Sequence, residues 1–129
     1  MPIHQEVTIN ALPADVYDAL LDSETFTRMT GGRDARISPE IGGEAALFDG
    51  AIQARNLELV PGTRVVQSWR AGNWPDGVHS VVRFELVEDG GKTKLVFDQT
   101  GYPDDAESHL ADGWHKMYWA PMNALFDQP

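Results

Sequence analysis

The stretch HLADGWHKMYWAPMNAL, residues 109–125, contains two of the four tryptophans of the chain and decides the fold that we predict. On a helix that turns by about 100° per residue, one side of this stretch is apolar over more than about four turns. The residues within about 80° of Trp114 on that helix are Leu110, Met117, Tyr118, Pro121, Met122 and Leu125. Trp119 falls about 140° from Trp114 and is expected to cover the edge of the helix or to pack under a loop. So broad an apolar face needs a second layer to cover it, and Pro121 should bend the helix around that layer.

The first 32 residues predict one strand followed by two short helices. QEVTIN, residues 5–10, alternates apolar and polar side chains, as a half-buried strand does. Pro13 suits the first turn of a helix over residues 13–21, because a missing N–H costs nothing there. Ser23 can cap a second helix, in which Phe26 and Met29 are the buried positions and which ends at two glycines.

Turn and capping residues mark the boundaries of the remaining elements. From residue 34 onward, apolar segments alternate with turn dipeptides: residues 49–50 (Asp-Gly) predict a two-residue hairpin, and residues 61–62 and 90–91 predict further turns. Strands joined by such short turns are antiparallel, so we predict six or seven strands in one meandering sheet. Asp104 or the residue after it can cap the final helix, with Glu107 completing a capping box. The predicted fold is therefore α+β in two layers.

The composition is typical of a globular protein and excludes several functional classes. The 129 residues suit a single domain over residues 1–129, and 42% of them are apolar. The net charge of −10 should repel nucleic acid and anionic lipid surfaces. No cysteine is present, which excludes disulfides and thiolate chemistry. The sequence shows no signal peptide and no apolar run near the ~20 residues that cross a bilayer, so we expect a cytoplasmic protein without membrane insertion.

No metal site or cofactor is predicted. His109, Asp112 and His115 follow one another at intervals of three residues, so on a helix their side chains fan apart by about 120°. Two histidine ligands on one helix converge at a spacing of four instead. The sequence also shows no paired-carboxylate, Gly-rich phosphate-binding or Ser-His-Asp motif.

The order of elements resembles a known family in three segments that cover nearly the whole chain. These segments are LPADVYDALLDSETFTRM (residues 12–29), VVQSWRAGNWPDGVHSVVRFEL (residues 65–86) and the stretch from GGKTKLVFDQTG to the Gly-Trp helix (residues 90–126). The chain resembles the START-like (SRPBCC) superfamily and, more narrowly, bacterial homologues of the activator of the heat-shock protein 90 ATPase. This resemblance implies the helix-grip fold, in which a curved antiparallel sheet of six or seven strands closes around a long C-terminal helix, with two short helices after the first strand.

The resemblance implies three kinds of function, because the fold alone does not choose among them. The leading hypothesis is a domain that binds a hydrophobic or amphipathic small molecule between the sheet and the C-terminal helix. The alternatives are a chaperone co-factor that acts through its surface in the stress response, and a cyclase- or hydrolase-type enzyme. An enzyme is the least favoured of the three. Monomer and homodimer both remain compatible with the sequence.

Strand alternation, together with the C-terminal helix, predicts the residues that line the interior. They are Gln67, Trp69, Ser80, Phe84, Phe97, Gln99, Leu110, Trp114, Met117 and Tyr118. In this hypothesis the apolar members contact the ligand, and Gln67, Ser80 and Gln99 orient its polar end. Two other interpretations stay open. A register shifted by one residue would turn the three polar side chains to solvent, and the aromatic residues of the helix could simply fill the core.

The two alternative functions predict different features. A surface-acting co-factor would expose an aromatic patch, with Trp74 and Trp119 as the candidates. An enzyme would bring polar groups together in the cavity, and Arg55, His79 and Tyr118 are possible donors.

Overall fold

The computed structural model describes residues 2–127 of the chain. Strand β1 (Ile3–Ile9) is followed by helices α1 (Pro13–Leu21) and α2 (Ser23–Met29). Six further strands are β2 (Arg36–Ile37), β3 (Glu44–Leu47), β4 (Ile52–Val60), β5 (Arg64–Ala71), β6 (Ser80–Asp89) and β7 (Lys92–Thr100). A 3₁₀ turn (Asp104–Ala106) then leads into α3 (Glu107–Trp114), a π-helical turn (His115–Trp119) and α4 (Ala120–Phe126). The last three segments run without a break, and we call residues 107–126 the C-terminal helix.

All seven strands form one antiparallel sheet in the order β1-β7-β6-β5-β4-β3-β2. Strands β2 to β7 follow one another as a meander, and β1 joins the sheet by pairing with β7. A register shift between Asn56 and Glu58 places a bulge in β4, which bends the strand. The C-terminal helix packs on one face, as shown by the rings of Trp114 and Phe97, whose centroids are 4.2 Å apart. The predicted α+β helix-grip architecture is confirmed.

One set of side chains on β5, β6 and β7 faces the C-terminal helix, in the register that alternation predicts. Trp69 lies opposite Ser80, and Gln99 lies opposite Val82. Gln67, Ser80 and Gln99 are all less than 5% exposed. The shifted register, which would turn these polar side chains to solvent, is therefore excluded.

The other face of the sheet is covered by charged pairs. Arg64 lies between Glu58 and Glu85 and pairs with both. His4 Nδ1 lies 2.6 Å from a carboxylate oxygen of Asp98, and this hydrogen bond is the main cause that raises the pKa of His4. Most of these side chains are substantially exposed, so this face is a solvated one.

Helix α1 has the predicted bounds, whereas the predicted cap of α2 is wrong. The capping residue is Asp22, whose Oδ2 accepts a hydrogen bond from the backbone N–H of Thr25 at 2.9 Å. Ser23 is the first helical residue instead. Its Oγ accepts a hydrogen bond from the backbone N–H of Ile37 at 2.8 Å and thereby ties α2 to β2.

The connection between β3 and β4 is longer than the predicted two-residue hairpin. Four residues, 48–51, separate the strands, and Phe48, Asp49 and Gly50 have φ values of 54°, 59° and 89°. The Asp49 carboxylate accepts a hydrogen bond from the backbone N–H of Asp34 at 2.7 Å, which holds the turn against the preceding loop. A bulky side chain rarely adopts positive φ, so Phe48 is a strained position that its surroundings hold in place.

The C-terminal helix begins with a 3₁₀ turn rather than with the predicted capping box. No side chain caps the helix at Ala106. The Glu107 carboxylate accepts a hydrogen bond from the Tyr102 hydroxyl at 2.7 Å. Glu107 therefore braces the loop before the helix, and the predicted reciprocal bond with Asp104 does not form.

A π-helical turn lies just before Pro121 in the middle of the C-terminal helix. The N–H of Ala120 bonds to the carbonyl of His115, five residues back, where an α-helix would use the carbonyl four residues back. Five residues then make a little more than one turn, so Trp114 and Trp119 lie on the same face with ring centroids 5.7 Å apart. The prediction that Trp119 lies at the helix edge is wrong because it assumed regular α-helical geometry.

Candidate ligand-binding cleft

A cleft of about 570 Å³ lies between the C-terminal helix and the sheet, near the end of β5. One wall comes from the turn before β4 and from the end of β5, which supply Phe48 and Trp69. The loop after β5 adds Trp74, and the C-terminal helix adds Trp114 and Tyr118. The cleft is partly open to solvent, so a small molecule has a path into it.

Aromatic rings in mutual contact form the inner part of the cleft. Trp114 lies 4.3 Å from Tyr118 and 5.1 Å from Trp69, measured between ring centroids. Trp74 packs against Trp69 at 5.8 Å with an edge-to-face geometry. These separations are within the range in which aromatic pairs stabilise each other. The inner surface is therefore a connected aromatic wall rather than a set of isolated side chains.

Residues behind this wall hold it in place. The ring of Phe97 lies 4.2 Å from Trp114, and that of Phe84 lies 5.9 Å from it. Gln99 Oε1 accepts a hydrogen bond from Trp114 Nε1 at 2.8 Å. Trp114 is only 2% exposed, so its indole is fixed on nearly all sides and only a small part of it borders the cleft.

The three predicted polar residues of the interior take part in hydrogen bonds within the protein. Gln99 Nε2 donates to Ser80 Oγ at 3.0 Å, and Ser80 Oγ donates to a backbone carbonyl of β5 at 2.7 Å. Gln67 Nε2 donates to Asn56 Oδ1 at 3.0 Å. Gln99 thus satisfies Ser80 and Trp114, and Gln67 satisfies Asn56, because a buried polar atom without a partner is costly.

Polar groups of the cleft are divided between its rim and its inner wall. The rim carries the exposed side chains Arg33, Asn73, Asp105 and His109. On the inner wall, the Tyr118 hydroxyl accepts a long hydrogen bond from Trp69 Nε1 at 3.5 Å. Burial raises the pKa of Tyr118, so this phenol stays protonated at neutral pH.

The structure brings half of the predicted site residues to the cleft. Those that line it are Trp69, Leu110, Trp114, Met117 and Tyr118. Those that lie behind its wall, buried in the core, are Gln67, Ser80, Phe84, Phe97 and Gln99. We keep the first group as candidate ligand contacts and assign the second group to positioning.

Sequence reasoning missed three residues that shape the cleft: Phe48, Trp74 and Gly113. The sequence analysis predicts Trp74 at the surface, although its place in a Trp-Pro-x-Gly loop after a strand is visible. Gly113 has no side chain, so apolar patterning does not identify it. For Phe48 no sequence feature indicates a positive φ, since that conformation is typical of glycine.

Neither the exposed aromatic patch predicted for a co-factor nor the cluster of cavity donors predicted for an enzyme is found among residues 2–127. Trp74 and Trp119 are 9% and 3% exposed, so they form no aromatic surface patch. Arg55 and His79 line a separate groove along β3, β4 and β5, and neither lines the cleft with Tyr118. The three donors considered for an enzyme therefore do not converge on one site.

Within residues 2–127, no three His, Asp or Glu side chains come together in a way that could hold a metal ion. In the same part of the chain, no helix has both the length and the apolar character that crossing a membrane requires.

Comparison with known families gives a match over almost the whole chain. The family described as "Activator of Hsp90 ATPase homolog 1-like protein" matches residues 10–127. The chain belongs to this family. A curated member, the activator of 90 kDa heat shock protein ATPase homolog of Dictyostelium discoideum, is 35% identical over 105 residues. These residues are 81% of this chain but 27% of the Dictyostelium protein, so the chain spans about a quarter of that relative.

Two solved structures share the fold along nearly their full length. The crystal structure of an Hsp90 activator from Plasmodium falciparum superposes with a TM-score of 0.93 at 21% identity, covering 100% of this chain and 98% of that one. The Aha1 dimer from Colwellia psychrerythraea gives a TM-score of 0.81 at 20% identity, covering 98% and 97%. At these identities the likeness establishes the helix-grip fold, and it leaves the function to be argued from the site.

Proposed function

We propose that this domain binds an apolar or amphipathic small molecule in the cleft between the sheet and the C-terminal helix. The observation that carries the proposal is the space of about 570 Å³ walled by Trp69, Trp74 and Trp114. Ligand sites in proteins usually occupy roughly 300–1,000 Å³ and combine an apolar lining with a few polar groups. The polar rim and the Tyr118 hydroxyl supply such groups.

The energetics of the wall support the same proposal. Apolar surface that faces water forgoes about 25 cal/mol per Å² relative to burial, and a ligand would recover this energy from the lining side chains that remain partly exposed, Met117 foremost. Trp114 is already fixed by Gln99 and Phe97. A ligand would therefore meet a preorganised surface and lose little free energy in ordering it.

Gly113 allows the cleft to be filled without disturbing the core. It lines the cleft, and a Cβ built on it meets no atom within 4 Å outside its own helix. In Gly113→Leu the new side chain should occupy the cleft and weaken binding of the uncharged fluorescent dye N-phenyl-1-naphthylamine by about tenfold or more, equivalent to about 1.4 kcal/mol. Replacing a helical glycine should also raise the free energy of unfolding by roughly 0.5–1 kcal/mol. Fluorescence titration of the folded proteins and urea denaturation measure the two effects.

Gly113→Ala is the matched control, because it gives the same helix stabilisation with only one methyl group in the cleft. It should keep most of the dye binding. If the wild type and Gly113→Leu bind the dye with equal affinity, the dye binds outside the cleft. Dye binding that begins only when the protein unfolds would reject the proposal.

A second candidate function, that of a chaperone co-factor, is favoured by the similarity to the Dictyostelium activator. The activity of that longer protein is a proposal for this chain, which spans 27% of it. The test is the ATPase rate of purified Dictyostelium Hsp90 with and without the chain, with the Dictyostelium homolog as positive control. Stimulation that survives in Gly113→Leu would assign this activity to the surface and separate it from the cleft, whereas no stimulation would reject it.

A further inference from the structure

Tyr118 carries a hydrogen-bond donor that the protein leaves unused. The side chain is 3% exposed and lines the cleft. Its oxygen accepts the long bond from Trp69 Nε1, but no acceptor for the hydroxyl hydrogen is found among residues 2–127. Buried polar groups in folded proteins nearly always have partners, so an unused donor on the wall of a cleft points to a partner outside the protein.

Trp74 presents a second donor to the same space. Its indole lines the cleft, and within the described residues its N–H has no hydrogen-bond partner. The polar atoms that the side chains of the inner wall present are thus indole N–H and phenol O–H groups, which donate. The Tyr118 phenol also keeps its hydrogen at neutral pH, because burial raises its pKa. The complementary ligand is one that accepts.

Building on the proposed function, we infer that Tyr118 determines the specificity of the cleft, and that its hydroxyl donates a hydrogen bond to the neutral carbonyl oxygen of a flat aromatic ligand. The carbonyl oxygen would lie against the inner wall, and the aromatic body would lie along Trp74 and the more exposed Met117, which line the same cleft. Trp74 is placed to donate to a second oxygen on a larger ligand of the same class.

The charges around the cleft favour a neutral acceptor over a carboxylate. The cationic side chain Arg33 stands on the exposed rim, where Asp105 accompanies it, and no cationic side chain of residues 2–127 lines the inner wall. A charged group moved into an apolar wall without a partner of opposite charge is strongly disfavoured. The net charge of −10 further opposes the approach of an anion.

The ring geometry favours a flat aromatic body over an organic cation. A cation held by aromatic faces needs rings that stand apart so that they can surround it. In this cleft the rings touch one another, with Trp69 and Trp114 centroids 5.1 Å apart and Trp114 and Tyr118 centroids 4.3 Å apart. They pack against one another, so they leave no space between them that could surround a cation.

Two probes of nearly the same shape isolate the hydrogen bond. Acetylnaphthalene carries a ketone where ethylnaphthalene carries a methylene group, so the ratio of their affinities measures what the carbonyl oxygen contributes. We expect Tyr118→Phe to lower this ratio about fivefold, within the range of a single net hydrogen bond. Ethylnaphthalene itself should bind the wild type and Tyr118→Phe equally, which also shows that the cleft of the variant is intact. Tyr17→Phe is the matched control, because it removes a phenol oxygen that does not line the cleft.

The outcomes separate this inference from the proposed function. Binding of both probes with an unchanged ratio in Tyr118→Phe would overturn the role of Tyr118 while leaving the ligand-binding function in place. Binding of neither probe would overturn both. If tetraethylammonium binds more tightly than acetylnaphthalene, the cleft prefers an organic cation to a neutral carbonyl compound. That result would overturn the inference as well.

A second measurement uses the unmodified protein and does not depend on the folding of a variant. The infrared carbonyl stretch of bound acetylnaphthalene, labelled with heavy carbon at the ketone, should move to lower frequency than in hexane. A stretch at the hexane position would mean that no donor reaches the oxygen, and the inference would fail.

Discussion

Gln99 connects the sheet to the C-terminal helix through its two amide atoms. Oε1 accepts from Trp114 Nε1 at 2.8 Å, and Nε2 donates to Ser80 Oγ at 3.0 Å. All three side chains are at most 2% exposed. We propose that Gln99 positions the indole that forms part of the cleft wall, rather than contacting the ligand itself.

Replacing Gln99 by leucine tests this role. Gln99→Leu keeps a similar volume but leaves the Trp114 N–H without its acceptor in a dry interior. We expect the free energy of unfolding, measured by urea denaturation, to fall by about 1–3 kcal/mol. Gln53→Leu, on an exposed position of β4, is the control and should change it by less than about 0.5 kcal/mol. Unchanged stability combined with lost dye binding would instead make Gln99 a direct ligand contact.

At the scale of single residues, burial was predictable and bonding partners were not. Strand alternation alone placed Gln67, Ser80 and Gln99 inside, because successive side chains in a strand point to opposite faces. Their partners depend on how the helix crosses the sheet, and Trp114 lies 15 residues beyond Gln99 in the chain. The positive φ of Phe48 likewise arises from tertiary contacts, since nothing about phenylalanine favours it.

At the scale of elements, the π-helical turn decides which aromatic residues face the sheet. A π-turn acts as one extra residue inserted into an α-helix. Five residues in π geometry rotate the chain by about 409°, and four in α geometry rotate it by about 400°. Trp114 and Trp119 therefore share a face only because the π-turn accommodates one extra residue between them.

Deletion of Lys116 should convert the π-turn into a regular α-turn. Trp114 and Trp119 would then be four residues apart and would keep their common face. We expect the protein to fold with its near-ultraviolet circular dichroism largely preserved, while dye affinity falls because Met117 rotates away from the rim of the cleft. Lys116 is well exposed and pairs only with Asp112 at the surface, so little else is lost.

Deletion of Asp112 is the matched control, because it removes the same ion pair and the same number of residues. It lies before the π-turn, and the shortened chain would rotate Trp114 by about 100° relative to Leu110. Trp114 would then leave Gln99, and the near-ultraviolet spectrum and much of the stability should be lost. Equal damage from the two deletions would mean that the π-turn does not act as an absorbed insertion.

Element types and order were predictable because each rests on a local pattern, whereas several boundaries were not. Helix α1 has the predicted bounds because Pro13 fixes its start and the apolar stripe fixes its length. The cap of α2 was assigned one residue late, since Asp22 and Ser23 are both good capping residues and only the contact of Ser23 with β2 distinguishes them. The turn after β3 is lengthened by the bond between Asp49 and Asp34, which sequence spacing does not reveal.

At the scale of the whole molecule, the fold was predictable and the cleft was not. The elements follow one another in the predicted order: one strand, two helices, the meander and the long helix. Local sequence patterns along nearly the whole chain indicate this order. A cleft is what remains where side chains of distant segments fail to meet, here at the end of β5, the loop after it and the middle of the C-terminal helix. Its volume depends on the crossing of helix and sheet and on Gly113, which leaves space where another residue would fill it.

The net charge of the whole molecule leads to a prediction about salt. Twenty acidic and ten basic residues leave a charge of −10, and repulsion among the unpaired acids is greater in the compact state than in the unfolded chain. The ion pairs on the outer face of the sheet are mostly exposed and stabilise by no more than about 1 kcal/mol each. We expect screening of the repulsion to dominate, so the midpoint of thermal unfolding should rise as potassium chloride increases from about 0.01 M to 0.1 M, where the Debye length falls from about 30 Å to 10 Å.

A variant with fewer negative charges distinguishes general repulsion from a specific effect of the salt. Asp18→Asn, Glu24→Gln and Glu88→Gln together remove three exposed carboxylates and change the net charge from −10 to −7. Because repulsion grows with the net charge, this variant should show a smaller rise of the midpoint over the same range of salt. A rise of equal size in both proteins would point to ion binding at one place. A falling midpoint in the wild type would mean that the paired charges of the outer face, Arg64 and its carboxylate partners foremost, outweigh the repulsion of the whole surface.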